Sequence, residues 1–185
     1  MPTAKIALDA IKALRDKTGA PLGDVRAALE ASGGNASKAL EVLKQKGFEA
    51  AQKRKNRAAG MGRIESYVHH DGRVGVLVEI NCETDFVARL PEFQQFCRDV
   101  AMQIASQQPV CISKEQLSAQ QLSEAKRVGT SPDQLAPEAC LLEQPFIKDA
   151  SQTIGQYLTT LIGKTGENIV ISRFVRFVLG DKSQA

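Results

Sequence analysis

The sequence predicts an α+β protein: an N-terminal group of three short helices, then a small antiparallel sheet with helices packed on one face. Three observations carry this. Residues 1–47 hold three short apolar-periodic stretches separated by glycines. A pair of alternating strands follows, joined across Asp71-Gly72. Two long amphipathic helices and a final apolar strand complete the chain, and hydrophobic faces of this kind must be covered by another layer.

The elements follow in order. Ile6, Ala7, Ala10, Ile11 and Leu14 share one helical face, and Thr18-Gly19 ends that helix. Pro21 suits the first turn of a second helix, where its missing N–H costs nothing. Leu22, Val25, Ala28 and Leu29 are expected on its inner face, and Gly33-Gly34 stops it. Asn35 is a good N-cap for a third helix carrying Ala36, Ala39, Leu40 and Leu43, with Gly47 as its left-handed C-terminal residue. A core this small has limited stability alone. Residues 48–62, with Lys53-Arg54-Lys55-Asn56-Arg57 and the glycines Gly60 and Gly62, read as a basic linker.

Residues 63–180 form the α+β core and 181–185 a tail. Its first strand spans Arg63 to His70 and its second Arg73 to Asn81, with Asp71-Gly72 as a two-residue turn at positive φ. Val74, Val76, Val78 and Ile80 alternate onto one face. Thr84-Asp85-Phe86-Val87 lies between this strand and a helix carrying Phe93, Phe96, Cys97, Val100, Ala101 and Ile104 on one stripe, with Pro91 in its first turn. Residues 113–139 are polar and turn-rich. Ser113 with Gln116 resembles a capping box for a short helix, and Gly129-Thr130-Ser131-Pro132 breaks what precedes it. A short strand near Cys140–Leu142 is followed by an amphipathic helix through Ile154, Tyr157, Leu158, Leu161 and Ile162. In the last strand, Asn168 to Leu179, Ile169, Ile171, Val175, Phe177 and Leu179 fall on one face and Val170, Phe174 and Val178 on the other.

Composition narrows the function. Among 185 residues, 43% are hydrophobic and 24% charged, ordinary for a globular protein with a core. The net charge of +3 does not by itself demand a nucleic-acid partner. Met1-Pro2-Thr3-Ala4-Lys5 opens no export leader, and no apolar run approaches the ~18 residues that span a bilayer. The expectation is a cytoplasmic protein without a membrane partner. Cys82, Cys97, Cys111 and Cys140 lack any zinc or Cys-x-x-Cys spacing and read as reduced, mostly buried thiols.

Motifs for catalysis fail on context. Gly163-Lys164-Thr165 looks like the end of a phosphate-binding loop, but Leu158 stands where the earlier glycine belongs, and the motif follows a helix rather than a strand. It reads as a helix C-terminus. His69 and His70, neighbours in a strand, point to opposite faces and cannot chelate one ion. No nucleophile–base–orienter set is visible, so no catalytic residue, metal or cofactor is expected. The pair Asp85-Phe86 has two readings. Phe86 packs into its own core while Asp85 caps the next helix, or the two form a contact site presented by a rigid strand and helix.

The run Asn81-Cys82-Glu83-Thr84-Asp85-Phe86-Val87-Ala88 resembles the signature of the elongation factor Ts family, in the short form with a single core repeat. Leu14-Arg15-Asp16-Lys17-Thr18-Gly19-Ala20 and Ala27-Ala28-Leu29-Glu30 resemble the family's N-terminal module, a three-helix bundle similar to ubiquitin-associated domains. Val74 to Glu79, Gln144-Pro145-Phe146, Gly166-Glu167-Asn168-Ile169 and Arg173-Phe174 match later family motifs in order. The resemblance implies a non-catalytic guanine nucleotide exchange factor for elongation factor Tu. In it Phe86 is a wedge and Asp85 helps displace the partner's Mg²⁺-binding region. Thr84, Asp85, Phe86, Val87, Arg15 and Leu22 are the expected partner contacts. Two departures stand out: Leu22-Gly23 replaces the family's usual two methionines, and residues 122–139 are too short for its usual helical segment. Short members of the family tend to be homodimers, an expectation of the resemblance alone. Two rival readings are an adaptor of the ubiquitin-associated type, which has no need of the Thr84–Val87 segment, and an RNA-binding protein acting through Lys53 to Arg63, which lacks aromatic stacking residues there.

Overall fold

The computed structural model describes residues 6–127 and 129–181. The Met1–Lys5 start and the tail beyond Asp181 lie outside the described residues. In chain order the elements are α1 (Leu8–Thr18), α2 (Leu22–Ala31), α3 (Ala36–Arg54), β1 (Met61–Val68), β2 (Val74–Cys82), α4 (Asp85–Ala88), α5 (Pro91–Gln107), α6 (Ala119–Arg127), α7 (Pro132–Ala139), β3 (Pro145–Phe146), β4 (Asp149–Thr153), α8 (Ile154–Thr165) and β5 (Ile169–Val178). The α+β class is as the sequence predicts. Two compact units divide the chain: residues up to Arg57 with Thr159–Asn168, and Ala58–Leu158 with the chain from Ile169 on.

In the first unit, α1, α2 and α3 close on Ile11, Leu14, Val25, Ala28, Leu29, Ala39 and Leu43. Gly19 ends α1 in the left-handed region at φ 63, its N–H donating to the Arg15 carbonyl at 2.7 Å. Asn35 caps α3, its side chain accepting from the Lys38 N–H at 3.0 Å. Two expectations are corrected. Leu22 does not face the core but is 56% exposed. Gly47 does not end α3, which runs on to Arg54 and takes up the first half of the expected linker. The physical reason is that the Gly47 backbone stays helical, its φ not among the positive ones. The helix end is supported further on, where the Asn168 side-chain amide donates to the carbonyls of Lys55 (3.3 Å) and Arg57 (2.8 Å). Lys53 and Arg54 in the last turn suit the negative end of the helix dipole.

In the second unit, the sheet has strand order β1-β2-β5, antiparallel throughout. Val76, Val78 and Ile80 point inward, and α5 covers them with Phe93, Phe96, Val100 and Ile104, all fully buried. Gly62 pairs with Asn81 as the second residue of β1, inside the strand rather than before it. Its φ is +144, and a Cβ there would collide with the Ile80 carbonyl and sit 2.7 Å from Asn81 Cα.

Three sequence expectations change in this unit. The hairpin turn is longer than two residues: Gly72 alone takes positive φ, and its N–H donates to the His69 carbonyl at 2.8 Å. Asp71 instead folds its carboxylate onto the Arg73 N–H at 2.9 Å, which holds it below the usual carboxylate range. His69 and His70 thus sit in a turn with rings 4.3 Å apart, not on opposite strand faces. Residues 113–139 hold two helices, α6 and α7, where turns were expected. The capping box belongs to Ser131 and Gln134 with Pro132 in the first turn, whereas the short helix expected after Ser113 is a single 3₁₀ turn, Lys114–Gln116, that the Ser113 side chain does not cap. Around Cys140 there is a single bridge to Cys111 and then a 3₁₀ turn, not a strand.

The third change concerns β5. A bulge shifts its register between Ile171 and Arg173, with Ser172 as the extra residue. Ile169 and Ile171 are buried as expected. Past the bulge the faces exchange: Phe174, Arg176 and Val178 turn inward, and Val175, Phe177 and Leu179 turn out. Arg176 donates to the Ala105 carbonyl near the end of α5.

Candidate partner-binding site

The site is built where β2 runs out of sheet. Cys82 is the last residue of β2, fully buried, and its thiol donates to the Thr84 carbonyl at 3.1 Å. Thr84, still extended at φ −127 and ψ 157, is the N-cap of α4, its hydroxyl accepting from the Val87 N–H at 3.4 Å. The expected loop is therefore one helical turn. Thr84 caps it and Asp85 does not.

A turn this tight assigns its side chains to opposite environments. Val87 points in and is 6% exposed, while Phe86 points out and is 77% exposed. Asp85 sits in the first turn and pairs with Arg89 one turn on, at 2.8 Å. Just past the turn Leu90 is also exposed, and Pro91 starts α5. Phe86 is held out by what surrounds it: Val87 anchors the turn below, Cys82 and Thr84 fix its start, and α5 fixes its end.

Of the six expected contact residues, Thr84, Asp85, Phe86 and Val87 form this one turn. Arg15 and Leu22 belong to the first unit and are both exposed. Among the described residues, Leu8 and Phe48 are the other large exposed apolar side chains of that unit. Sequence reasoning missed Cys82 and Arg89 as supports; Arg89 is four residues after Asp85, the spacing of a helical ion pair. It also missed Asn81, whose side-chain amide donates to the Met61 carbonyl at 3.2 Å and whose carbonyl oxygen accepts from the Ser172 hydroxyl at the bulge. Asn81 thereby ties both neighbouring strands to the end of β2.

The outer face of the sheet is a second exposed surface. Cross-strand partners lie on one face. Leu77 opposite Val175, and Gly75 between Val68 and Phe177, put exposed apolar side chains side by side, with Ile64 beside the Glu79–Arg173 ion pair. That pair, at 2.7 Å, holds the Glu79 carboxyl below its usual range. Gly163-Lys164-Thr165 closes α8, as expected of a helix C-terminus, with Gly166 at φ +75. Among the described residues no group of His, Cys, Asp and Glu is arranged to hold a metal ion, and no helix is long and apolar enough to cross a membrane.

A family model described as elongation factor TS matches residues 26–134, more than half of the chain and inclusive of the Thr84–Val87 turn. The chain belongs to the elongation factor Ts family. Its relatives in the family match over nearly their whole length. Elongation factor Ts of Rubrobacter xylanophilus is 44% identical over 93% of this chain and 98% of its own. That of Carboxydothermus hydrogenoformans is 46% identical over 92% and 88%. The chloroplastic elongation factor Ts of Porphyra purpurea is 45% identical over 96% and 90%. Family membership gives the chain a role in the elongation stage of protein synthesis.

Proposed function

We propose that this chain is a non-catalytic guanine nucleotide exchange factor acting on elongation factor Tu in the cytoplasm. The observation that supports this reading best is Phe86: a large aromatic, 77% exposed, on a turn capped by Thr84 and plugged by Val87. An exposed Phe held by a buried neighbour is already paid its ordering entropy before a partner arrives, so its insertion costs less. Asp85 beside it supplies a negative charge suited to compete for a Mg²⁺-binding region. Arg15 and Leu22 provide contacts from the first unit.

The mechanism is a coupling of two binding equilibria. If the chain weakens GDP on its partner by some factor, GDP weakens the chain's binding by the same factor. The nucleotide-free complex is the stabilised state, and entry of a new nucleotide expels the factor. No bond is made or broken.

The test is release of labelled GDP from elongation factor Tu at substoichiometric amounts of this chain. Phe86→Ala should slow release by at least roughly tenfold, about 1.4 kcal/mol of lost coupling. Asp85→Asn should slow release with little loss of affinity. Unchanged release on adding the wild-type chain would overturn the proposal.

Homodimerisation is part of the same reading, through the outer sheet face of Val68, Leu77, Val175 and Phe177. Exposed apolar side chains clustered on a face with a single ion pair favour it. Sedimentation of wild-type and Phe177→Lys chains would decide it: a wild-type monomer at micromolar concentration excludes a stable dimer.

A further inference from the structure

We propose that Cys111 and Cys140 are a reversible redox pair that closes to a disulfide by exchange with a low-molecular-weight disulfide. The two residues face each other in an isolated parallel bridge, and the Cys111 thiol donates to Cys140 Sγ at 3.4 Å. The backbone on both sides is already locked in register. The N–H groups of Val110 and Cys111 donate to the Ala139 carbonyl at 2.9 and 3.3 Å, and those of Leu141 and Leu142 to the carbonyls of Cys111 and Ile112, both at 3.0 Å. Adjacent strands lie about 4.8 Å apart, inside the roughly 4.4–6.8 Å Cα separation that a disulfide spans. The sulfurs need only turn toward each other; the chain has no large movement to make.

The pairing is selective within the molecule. The Cys82 thiol is turned to the Thr84 carbonyl, whereas the Cys111 thiol, within reach of the Ser113 and Ala139 carbonyls, also reaches Cys140 Sγ. Cys82 and Cys97 are fully buried. Cys111, at 8% exposed, is nearer to solvent than Cys140, which is fully buried and whose thiol burial pushes up to about 12. Cys111 is therefore the sulfur that meets the oxidant. Its thiolate attacks the disulfide RSSR, forming a mixed disulfide at Cys111 and releasing one RSH. Cys140 then attacks Cys111 Sγ and releases the second RSH. The protein loses two electrons and two protons, and both reach the departing thiols.

The clip encloses 28 residues, 112–139, which include α6 and α7. In the reduced protein this excursion rests on a small satellite core of Cys111, Leu117, Ala136, Ala139 and Cys140, with Leu122 and Leu135 partly buried against it. Oxidation closes it covalently at its base without rebuilding that core. The consequence is a stability switch for one segment, set by the thiol–disulfide poise of the surroundings and remote in sequence from the Phe86 turn.

The experiment uses the native full chain, equilibrated against oxidised and reduced glutathione at a series of ratios, then acid-quenched, alkylated and peptide-mapped. The free thiol count is expected to fall from four to two, with a Cys111–Cys140 cross-linked peptide that dithiothreitol removes. The melting transition of the oxidised chain should rise by roughly 5–10 °C. The Cys111→Ser chain should show neither the cross-link nor the rise. Four thiols at every ratio, a cross-link through Cys82 or Cys97, or glutathione retained on Cys111 without closure would each overturn the proposal. The wild-type map decides the matter even if a serine variant folds poorly.

Discussion

Each of the two units has a core of its own kind. The first closes three helices on seven buried residues, none aromatic and two of them alanine. The second stacks Phe93 and Phe96 from α5 onto Val76, Val78 and Ile80, with Phe96 edge-on to Tyr157 at 4.9 Å and the Phe146 ring tilted against Tyr157 at 5.2 Å. Around this stack lies a satisfied polar network. Asp99, nearly buried, accepts from Gln95 (2.9 Å), Lys148 (2.6 Å) and the Tyr157 hydroxyl (3.2 Å), and it helps burial to raise the Tyr157 pKa. Large interlocking side chains give rigidity, and small aliphatic ones give a fold that opens more readily. The comparison teaches where a projecting aromatic can be mounted. Phe86 projects from the unit with the stiffer core, and the softer unit carries exposed apolar side chains that need no fixed aim.

This difference can be broken most severely at Phe96. Phe96→Ala should cost roughly 3–5 kcal/mol in urea denaturation and take the Phe86 turn down with it. Leu29→Ala removes a fully buried side chain from the first unit and should cost roughly 2–4 kcal/mol. Amide hydrogen exchange should show that loss in α1–α3 while β2 and α5 keep their protection. Equal loss of protection in both units would mean the cores are not separate. Deleting residues up to Arg57 sharpens the same point. The strands β1, β2 and β5 with α5 should still give a cooperative transition, and a chain without one would refute the division.

Smaller effects test the turn itself. Val87→Ala should cost roughly 1–3 kcal/mol, because its side chain is nearly all buried. Phe86→Ala, one residue away, should stay within about 0.5 kcal/mol of wild type. A large stability loss for Phe86→Ala with normal GDP release would return the ring to the core. The smallest effect is electrostatic. The Arg173 hydrogen bond lowers the Glu79 pKa, so this pair's contribution is present above the unfolded glutamate pKa near 4.5 and fades as pH falls through the lower folded value. Glu79→Gln should flatten that acid limb of the stability curve and change little at neutral pH.

How far these features can be read from residues depends on what fixes them. β2 and α5 are readable because each signal is local and strong: four alternating aliphatics, Pro91, and a stripe ending at Ile104; the turn of α4 between them, capped by Thr84, reads only as a loop. The orientation of Phe86 is not local; it follows from Val87 taking the inward position on a one-turn helix. Residues 113–139 mislead because Ser131-Pro132 reads as a breaker, yet the same Pro-in-first-turn logic that works at Pro91 starts α7 there. Gly47 misleads because a mid-helix glycine costs only about 1 kcal/mol and tertiary support overrides it. The face assignment in β5 fails because one bulge residue is invisible to a count of alternating side chains.

That bulge ties the strand to its own length. Every residue after Ser172 keeps its inward or outward aim because that residue stands outside the ladder, pinned to Asn81. Loss of the Ser172 codon would close the bulge with these aims kept, but loss of one codon beyond it, at Phe174 or Val175, would preserve the reading frame of the message and invert the rest of the strand. Arg176 would be driven out to water, and Phe177 would be pressed beneath the sheet where α5 already fills the space. Inheritance can therefore vary the chemistry of this strand far more freely than its residue count.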